Sequence, residues 1–150
     1  MTTDLKKIKT DFDAAVKLYE KTYEETVDMV SLDGSVLKEA LKNQVTLQLS
    51  WEMIVKKLNK VYDSCELAVD SCYAAAVSAE LRNAYKSVSI TEAKEFARAN
   101  TDYQEAKKLL IDVREVRDEA KGILNTIESR KYILNNITNS VIASVDKHIV

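Results

Sequence analysis

Basic residues stand in small groups along the middle of the chain, and aromatic residues lie near several of them. Tyr85 adjoins Lys86, and Tyr103 precedes a further basic pair at positions 107 and 108. Cations that hold phosphates beside a ring that can stack on a base are typical of single-stranded DNA binding. The alternative is that these charges only keep helix surfaces solvated. The residues that this pattern predicts to contact DNA are Lys56, Lys57, Lys60, Arg82, Lys86, Lys94 and Arg98.

Residue types that carry catalysis are sparse in this sequence. The single histidine, His148, stands near the end of the chain, where residues usually fray. Cys65 and Cys72 are one heptad apart, which on one helix is about 10 Å and too far for a disulfide. They are typical of small core residues in a reducing compartment. Since no cluster has metal-ligand spacing and no glycine-rich phosphate loop is visible, we expect no enzyme activity, metal site or cofactor.

The overall charge is nearly balanced, with 24 acidic and 22 basic side chains and a formal charge of -2. That balance does not mark a nucleic-acid-binding protein, although bases can still gather on one face. Residues 80–150 hold eleven acids and twelve bases, so this half is the better place for an anionic partner. The first residues are charged throughout, and no apolar stretch has the length of a membrane span. We therefore expect a cytoplasmic protein with no membrane partner.

The elements that must position these residues are long helices. The chain has no proline and only two glycines, so it can turn sharply in few places. Its composition and apolar spacing predict an all-α fold in a single domain. The predicted helices cover about residues 3–30, 36–85 and 90–147. They are separated by SLDGS at 31–35 and KSVSIT at 86–91, where Ser89 and Glu92 form a capping box for the last helix.

Apolar positions form one stripe along each predicted helix. The stripe of the first helix is Leu5, Ile8, Phe12, Ala15, Tyr19, Tyr23 and Val27. The other two stripes alternate steps of three and four residues, which is the heptad seam of coiled coils. The last helix spans roughly 80 Å at 1.5 Å per residue, which a globule of this size cannot enclose. We therefore expect an elongated antiparallel helical hairpin or coiled-coil-like bundle that forms a homo-oligomer.

Arg130 occupies a position on the last seam, between Ile127 and Leu134. A buried charge is costly unless it is paired. We therefore expect a carboxylate from another helix or subunit beside Arg130. The alternative is that Arg130 lies at the edge of the seam and extends its charged end into solvent.

Residues 123–137, ILNTIESRKYILNNI, resemble the C-terminal helix of the UvsY-type recombination mediator proteins of tailed phages. The residues that carry the resemblance are Leu124, Ile127, Ser129, Arg130, Tyr132, Leu134 and Ile137. Upstream, Asp102 and Tyr103 are similar to a short acidic stretch that precedes this helix in the family. The resemblance covers the last third of the chain well and the middle in outline.

The resemblance implies a ring-forming homo-oligomer that binds single-stranded DNA. Such a protein helps to load a RecA-like recombinase onto DNA covered by single-strand-binding protein, in the host cytoplasm when a phage encodes it. The oligomerisation residues that it implies are Leu124, Ile127, Arg130, Leu134, Ile137 and Val141.

One departure concerns the DNA site. Residues 72–82 hold alanines and only Arg82 where the family carries a Lys-x-Arg motif, so we do not transfer that site. Two other classes of protein fit the same helical pattern. One is a structural or scaffold coiled-coil protein without nucleic-acid binding, and the other is a helical toxin or antitoxin partner.

Overall fold

The computed structural model describes residues 1–30, 37–83 and 88–148, apart from the side chain of His148. Four α-helices account for nearly all of this part of the chain. They are α1 (Thr3–Met29), α2 (Leu37–Asn83), α3 (Ile90–Ala97) and α4 (Thr101–His148). The all-α prediction is confirmed for these residues. The predicted break at 31–35 and the predicted DNA contact Lys86 lie outside the described residues.

The stretch predicted as one helix over residues 90–147 consists of α3 and α4. Residues 98–100 separate them, and the Asn100 Oδ1 accepts a hydrogen bond of 3.1 Å from the Tyr103 N–H. An asparagine in this position satisfies an amide that a helix start leaves unpaired. The single-helix prediction is therefore wrong, because the apolar spacing continues across a residue that caps a new helix.

The start of α3 agrees with the sequence. The Ser89 hydroxyl oxygen accepts a hydrogen bond of 3.2 Å from the Glu92 N–H. In return, the Ser89 N–H donates to the Glu92 carboxylate at 3.3 Å. This reciprocal pair is the predicted capping box, which is confirmed.

Packing divides the chain into two compact units. Unit 1 consists of Met1–Val16 and Lys57–Arg117, and unit 2 consists of Lys17–Lys56 and Asp118–Val150. Each unit contains one segment each of α1, α2 and α4, and α3 belongs to unit 1.

In unit 1, α2 and α4 run antiparallel. The Cys65 thiol lies 3.8 Å from the Ala106 carbonyl oxygen. Further along α2, the Tyr73 ring centre lies 5.2 Å from that of Tyr103, which comes before Ala106 on α4. The α1 segment joins them through the Met1 amino group, 3.5 Å from the Asp102 carboxylate. The interior is apolar and mostly small. Its buried residues are Leu5, Ile8, Phe12, Ala15, Leu58, Val61, Cys65, Ala76, Ala93, Ala97, Ala106, Leu109 and Val113.

In unit 2, the interior is centred on a tryptophan. Trp51 is fully buried, and its indole N–H donates a hydrogen bond of 2.8 Å to the Thr26 hydroxyl oxygen. The edge of the Tyr19 ring packs on the indole at 5.4 Å between ring centres. The buried residues are Thr22, Thr26, Ala40, Gln44, Leu47, Trp51, Ile54, Ala120, Ile127, Arg130 and Leu134.

The second half of the predicted α1 stripe is wrong. Tyr23 and Val27 are exposed, whereas Thr22 and Thr26 are buried. Beyond Tyr19 the helix keeps alternating steps of three and four residues, so its buried face passes through the threonines. The Thr26 hydroxyl is satisfied inside, since it accepts from Trp51 and donates a hydrogen bond of 2.6 Å to the Thr22 carbonyl.

None of the described helices contains a stretch that is both long enough and apolar enough to cross a bilayer.

Candidate nucleic-acid interface

A basic groove with an aromatic residue lies on the surface of unit 1. The groove is open and has a volume of about 390 Å³. Its lining residues are Arg98, Tyr103, Gln104, Lys107, Lys108 and Ile111. The three cationic side chains are all exposed, and Tyr103 is half-buried. We call this feature the basic groove.

The break between α3 and α4 brings Arg98 to this groove. Arg98 is the C-cap of α3, and its N–H donates to the Lys94 carbonyl at 3.3 Å. The Arg98 carbonyl in turn accepts a hydrogen bond of 3.2 Å from the Gln104 side-chain amide. These bonds fix the end of α3 to the first turn of α4. Tyr103 and Lys107 lie one turn apart on α4.

The ring of Tyr103 is held from two sides. Tyr73 of α2 packs against it with an interplanar angle of 47°. The Lys107 ammonium group lies 5.4 Å from its ring centre, within the range of a cation–π contact. A nucleobase could stack on this ring if the Lys107 side chain moved from the ring to a neighbouring phosphate. The groove thus combines an aromatic ring with cations beside it.

A second aromatic residue of unit 1 is also flanked by arginines. The guanidinium groups of Arg117 and Arg114 lie 3.9 Å and 6.0 Å from the ring centre of Tyr62. None of these three residues is among those that the sequence predicts to contact DNA. The spacing of the two arginines, three positions apart, places them on one face of a helix. It could not indicate the tyrosine that they face, because Tyr62 lies some fifty positions away in the chain.

Among the seven residues predicted to contact DNA, Arg98 lines the basic groove. Lys57, Lys60 and Lys94 are exposed in unit 1, and Lys60 lines a different groove, between α1 and α2. Arg82 is exposed in the last turn of α2, where its Nε donates to the Ser78 carbonyl at 3.3 Å. Lys56 is exposed in unit 2. Their contacts with DNA stay a prediction.

The residues predicted for oligomerisation divide by exposure. Ile127, Arg130 and Leu134 are buried within unit 2, and Leu124 is half-buried. Ile137 and Val141 are exposed near the end of α4. The first three therefore contribute to the core of their own unit, whereas Ile137 and Val141 remain accessible to another molecule. The role of all six in oligomerisation stays a prediction.

Arg130 has neutral partners in the described part of the chain, instead of the expected carboxylate. Its Nη1 donates to the Gln44 side-chain oxygen at 3.0 Å, and its Nη2 lies 3.5 Å from the Met29 carbonyl oxygen that accepts from it. Gln44 is held in turn, since its amide donates to the Ile127 carbonyl at 2.6 Å. Met29 ends α1, where the negative end of the helix dipole favours a cation.

Burial of Arg130 has a measurable electrostatic consequence. Removal from solvent lowers the pKa of its guanidinium from the ordinary value. Its Nε is buried and has no hydrogen-bond partner among the described residues. Arg130 is thus a buried polar anchor that joins α4 to α2 and to the end of α1 within unit 2. The alternative prediction, a side chain that reaches solvent from the edge of the seam, does not agree with its burial.

Within the described residues, no group of histidine, cysteine, aspartate or glutamate side chains could hold a metal ion. Cys65 and Cys72 are both free thiols, as their spacing predicts. Comparison with known proteins adds no relative: no protein-family model matches the chain, and no curated protein or solved structure is significantly similar to it.

Proposed function

We propose that this chain is a recombination mediator that binds single-stranded DNA as a homo-oligomer. The observation that carries the DNA-binding part is the basic groove, where Arg98, Lys107 and Lys108 surround the ring of Tyr103. In this role the three cations contact successive phosphates and Tyr103 stacks on a base. Tyr73 packs on Tyr103, with 5.2 Å between the ring centres.

The homo-oligomer in this proposal is supported by the end of α4. Residues 132–145, YILNNITNSVIASV, contain no charged side chain. Apart from the buried Leu134, the isoleucine and valine side chains of this segment are about half exposed in the single chain. An apolar surface of this kind on a protein marks an interaction site. An assembly would also repeat the basic groove, so that several weak phosphate contacts add up to tight binding.

The recombinase-loading role rests on the resemblance of residues 123–137 to the UvsY-type family. Its mechanism would be physical. Grooves repeated around an oligomer would bend or wrap the strand, loosen a competing single-strand-binding protein, and present the DNA to a RecA-like recombinase. This mechanism requires no catalytic group and no cofactor from the chain.

The test is fluorescence anisotropy of a labelled oligo(dT), titrated with the protein at low and high salt, with the mass in solution measured in parallel. Arg98→Gln, Lys107→Gln and Lys108→Gln are combined in one variant. Since each contact with a single strand contributes about 0.7 to the salt slope, we expect that slope to fall by about 2 and the affinity at low salt by at least tenfold.

The matched control for this experiment combines Lys9→Gln, Lys17→Gln and Lys21→Gln, three exposed lysines on α1. It changes the net charge equally but leaves the basic groove intact. Equal losses in the two variants would show that only net charge matters and would contradict the groove. A well-formed oligomer that bound no DNA at low salt would overturn the proposed function.

A scaffold or assembly protein without nucleic-acid binding is the second candidate. The exposed aliphatic side chains at the end of α4 favour it, because they call for a protein partner and not for DNA. The same titration separates the two candidates. Oligomerisation without DNA binding would favour the scaffold.

A further inference from the structure

Two uncovered apolar surfaces of unit 2 lie along α4. The first is an open groove between α1 and α4, here called the α1/α4 groove. Its residues are Tyr19, Tyr23, Thr26, Val27, Val30, Glu119, Gly122, Ile123, Thr126 and Ile127. The second is a ridge near the end of α4, the α4 ridge, made of Ile133, Ile137, Val141 and Val145 with serines between them. The ridge residues and the groove residue Val27 are each 40% to 54% exposed.

The groove and the ridge occupy the same face of α4. Thr126, Ile133 and Ser140 follow one another at intervals of seven residues, and Ile137 and Ser144 repeat that interval one turn on. Seven residues correspond to almost two complete turns of an α-helix, so these positions form one strip. On the adjacent row of α4, Ile127 and Leu134 are buried in unit 2, whereas Val141, seven residues further on, is exposed.

We propose that this strip binds a second copy of the chain, with the two α4 helices antiparallel about a two-fold axis near Ile133. Each copy then places its α4 ridge in the α1/α4 groove of the other. One contact surface covers both apolar features at once, as a self-complementary two-fold interface does. This inference deepens the homo-oligomer part of the proposed function and rests on that part alone.

The polar residues of the strip match in this arrangement. Glu119 and Lys147 each lie fourteen residues from Ile133, so antiparallel pairing places Lys147 of one copy beside Glu119 of the other. Parallel pairing in register would instead place like charges together. Glu119 is held in position, since the Tyr19 hydroxyl donates a hydrogen bond of 3.3 Å to it.

The small residues of the strip also match. Gly122 and Ser144 both lie eleven residues from Ile133, and antiparallel pairing brings them together. A Cβ atom added at Gly122 would meet nothing within 4 Å. The surface above Gly122 is therefore open, and a second helix can approach closely at this point.

The exposed apolar residues supply most of the area that such an interface needs. A half-exposed valine, isoleucine or tyrosine leaves about 60–100 Å² of apolar surface in water. The seven exposed residues Tyr23, Val27, Val30, Ile133, Ile137, Val141 and Val145 thus contribute roughly 500 Å² per copy. Two copies would bury about 1,000 Å² from these side chains alone, most of what a stable interface needs. Because residues 132–145 are uncharged, no charge from the ridge is buried on docking.

Cysteine cross-linking of the full chain tests the direction of the pairing. The background carries Cys72→Ser, which removes the accessible thiol, and retains Cys65, which is buried. Thr126→Cys and Ser140→Cys are made as separate single variants, both at exposed positions. Each is oxidised alone and as an equimolar mixture, and non-reducing electrophoresis with mass spectrometry identifies the linked positions.

Antiparallel pairing predicts that the mixture forms a disulfide between the cysteine introduced at position 126 of one copy and that introduced at position 140 of the other. Little dimer is expected from either variant alone. Self-linked dimers of Ser140→Cys alone and of Thr126→Cys alone would show parallel packing and overturn the inference. A monomeric mass for the parent chain would overturn it as well. DNA is absent from the experiment, so its failure would leave the basic groove untouched, and failure of DNA binding would leave the interface untouched.

Discussion

Unit 1 and unit 2 are both built from segments of α1, α2 and α4, but they fill their interiors with different kinds of residue. In unit 1 the buried positions are apolar, and many of them are small. In unit 2 two threonines, a glutamine and an arginine are buried together with Trp51. The polarity of the surfaces differs in the opposite direction, since unit 1 has the more polar surface feature and unit 2 the more apolar one. Unit 1 carries the basic groove, whereas unit 2 leaves the apolar α4 ridge exposed.

The comparison shows that one heptad pattern can give either close packing of helices or a fixed register between them. A small apolar interior lets helices approach closely and places few demands on partner geometry. A polar buried group must find its hydrogen-bond partner, so it fixes which positions face each other. We infer that Gln44 and Arg130 fix the register of α2 against α4 in unit 2. The remaining apolar surface of that unit is then free to face another molecule.

The largest effect is expected from Gln44→Leu. This change leaves the buried Arg130 without its amide partner and should lower the free energy of unfolding by about 2–4 kcal/mol. Urea denaturation at one fixed protein concentration measures it. Adding Arg130→Met should restore part of the loss, because no buried charge then remains unpaired.

The control for Gln44 is Gln48→Leu, the same substitution one turn further along α2. Gln48 is half-buried, and its amide bonds only to Glu52 of the same helix, at 3.2 Å. We expect a change within about 0.5 kcal/mol. Equal effects at positions 44 and 48 would contradict the role of the buried pair in unit 2.

A smaller loss of stability is expected from Thr26→Val, because valine has nearly the same shape as threonine. The substitution removes the oxygen that accepts the Trp51 indole N–H and leaves that donor buried without a partner. The expected loss is about 1–3 kcal/mol. Thr10→Val is the matched control, because the Thr10 hydroxyl is exposed and bonds only within α1, to the Lys6 carbonyl.

Denaturation followed by tryptophan fluorescence reports on Thr26→Val directly, since Trp51 is the only tryptophan. The folded variant should also show a changed emission maximum, while Thr10→Val should not. If Thr26→Val were as stable as the parent chain, the buried hydrogen bond would add nothing to the free energy of unfolding. The energetic contrast between the polar interior of unit 2 and the apolar interior of unit 1 would then be contradicted.

The smallest effect concerns the two thiols of unit 1. Burial, followed by the charges of Cys72 and Glu66, raises the pKa of Cys65 from 9.0 to about 11. Folding therefore favours the protonated thiol. This contribution to stability is complete below about pH 9 and is lost as the pH rises through about 11. Cys65→Val should flatten the fall of stability in that window, and Cys72→Ser should flatten it less.

Alkylation at pH 8 gives an independent measurement of the same difference. Iodoacetamide should label the half-buried Cys72 in the folded protein, although burial raises the pKa of that thiol too. Cys65 should react only when the chain unfolds, because the thiolate is the reactive form. Equal labelling rates would show that the interior of unit 1 opens readily.

Local sequence signals predicted the secondary structure well. The lack of proline, the apolar spacing and the Ser89–Glu92 pair act within a few residues, and helices and caps depend on such short-range terms. The errors arose where two local signals competed. At Asn100 a cap interrupted a continuing seam, and beyond Tyr19 the buried face passed through threonines in place of the more apolar Tyr23 and Val27.

The residue order alone therefore determined the helical class and most of the apolar stripes. The tertiary structure decided which groups meet. The partners of Arg130 and Tyr103 are distant in sequence, Gln44 and Tyr73 respectively, and no periodicity within one helix indicates them. The physical reason is that hydrogen bonds and ring contacts act over a few ångströms. Only the packing of α2 against α4 brings these residues within that range.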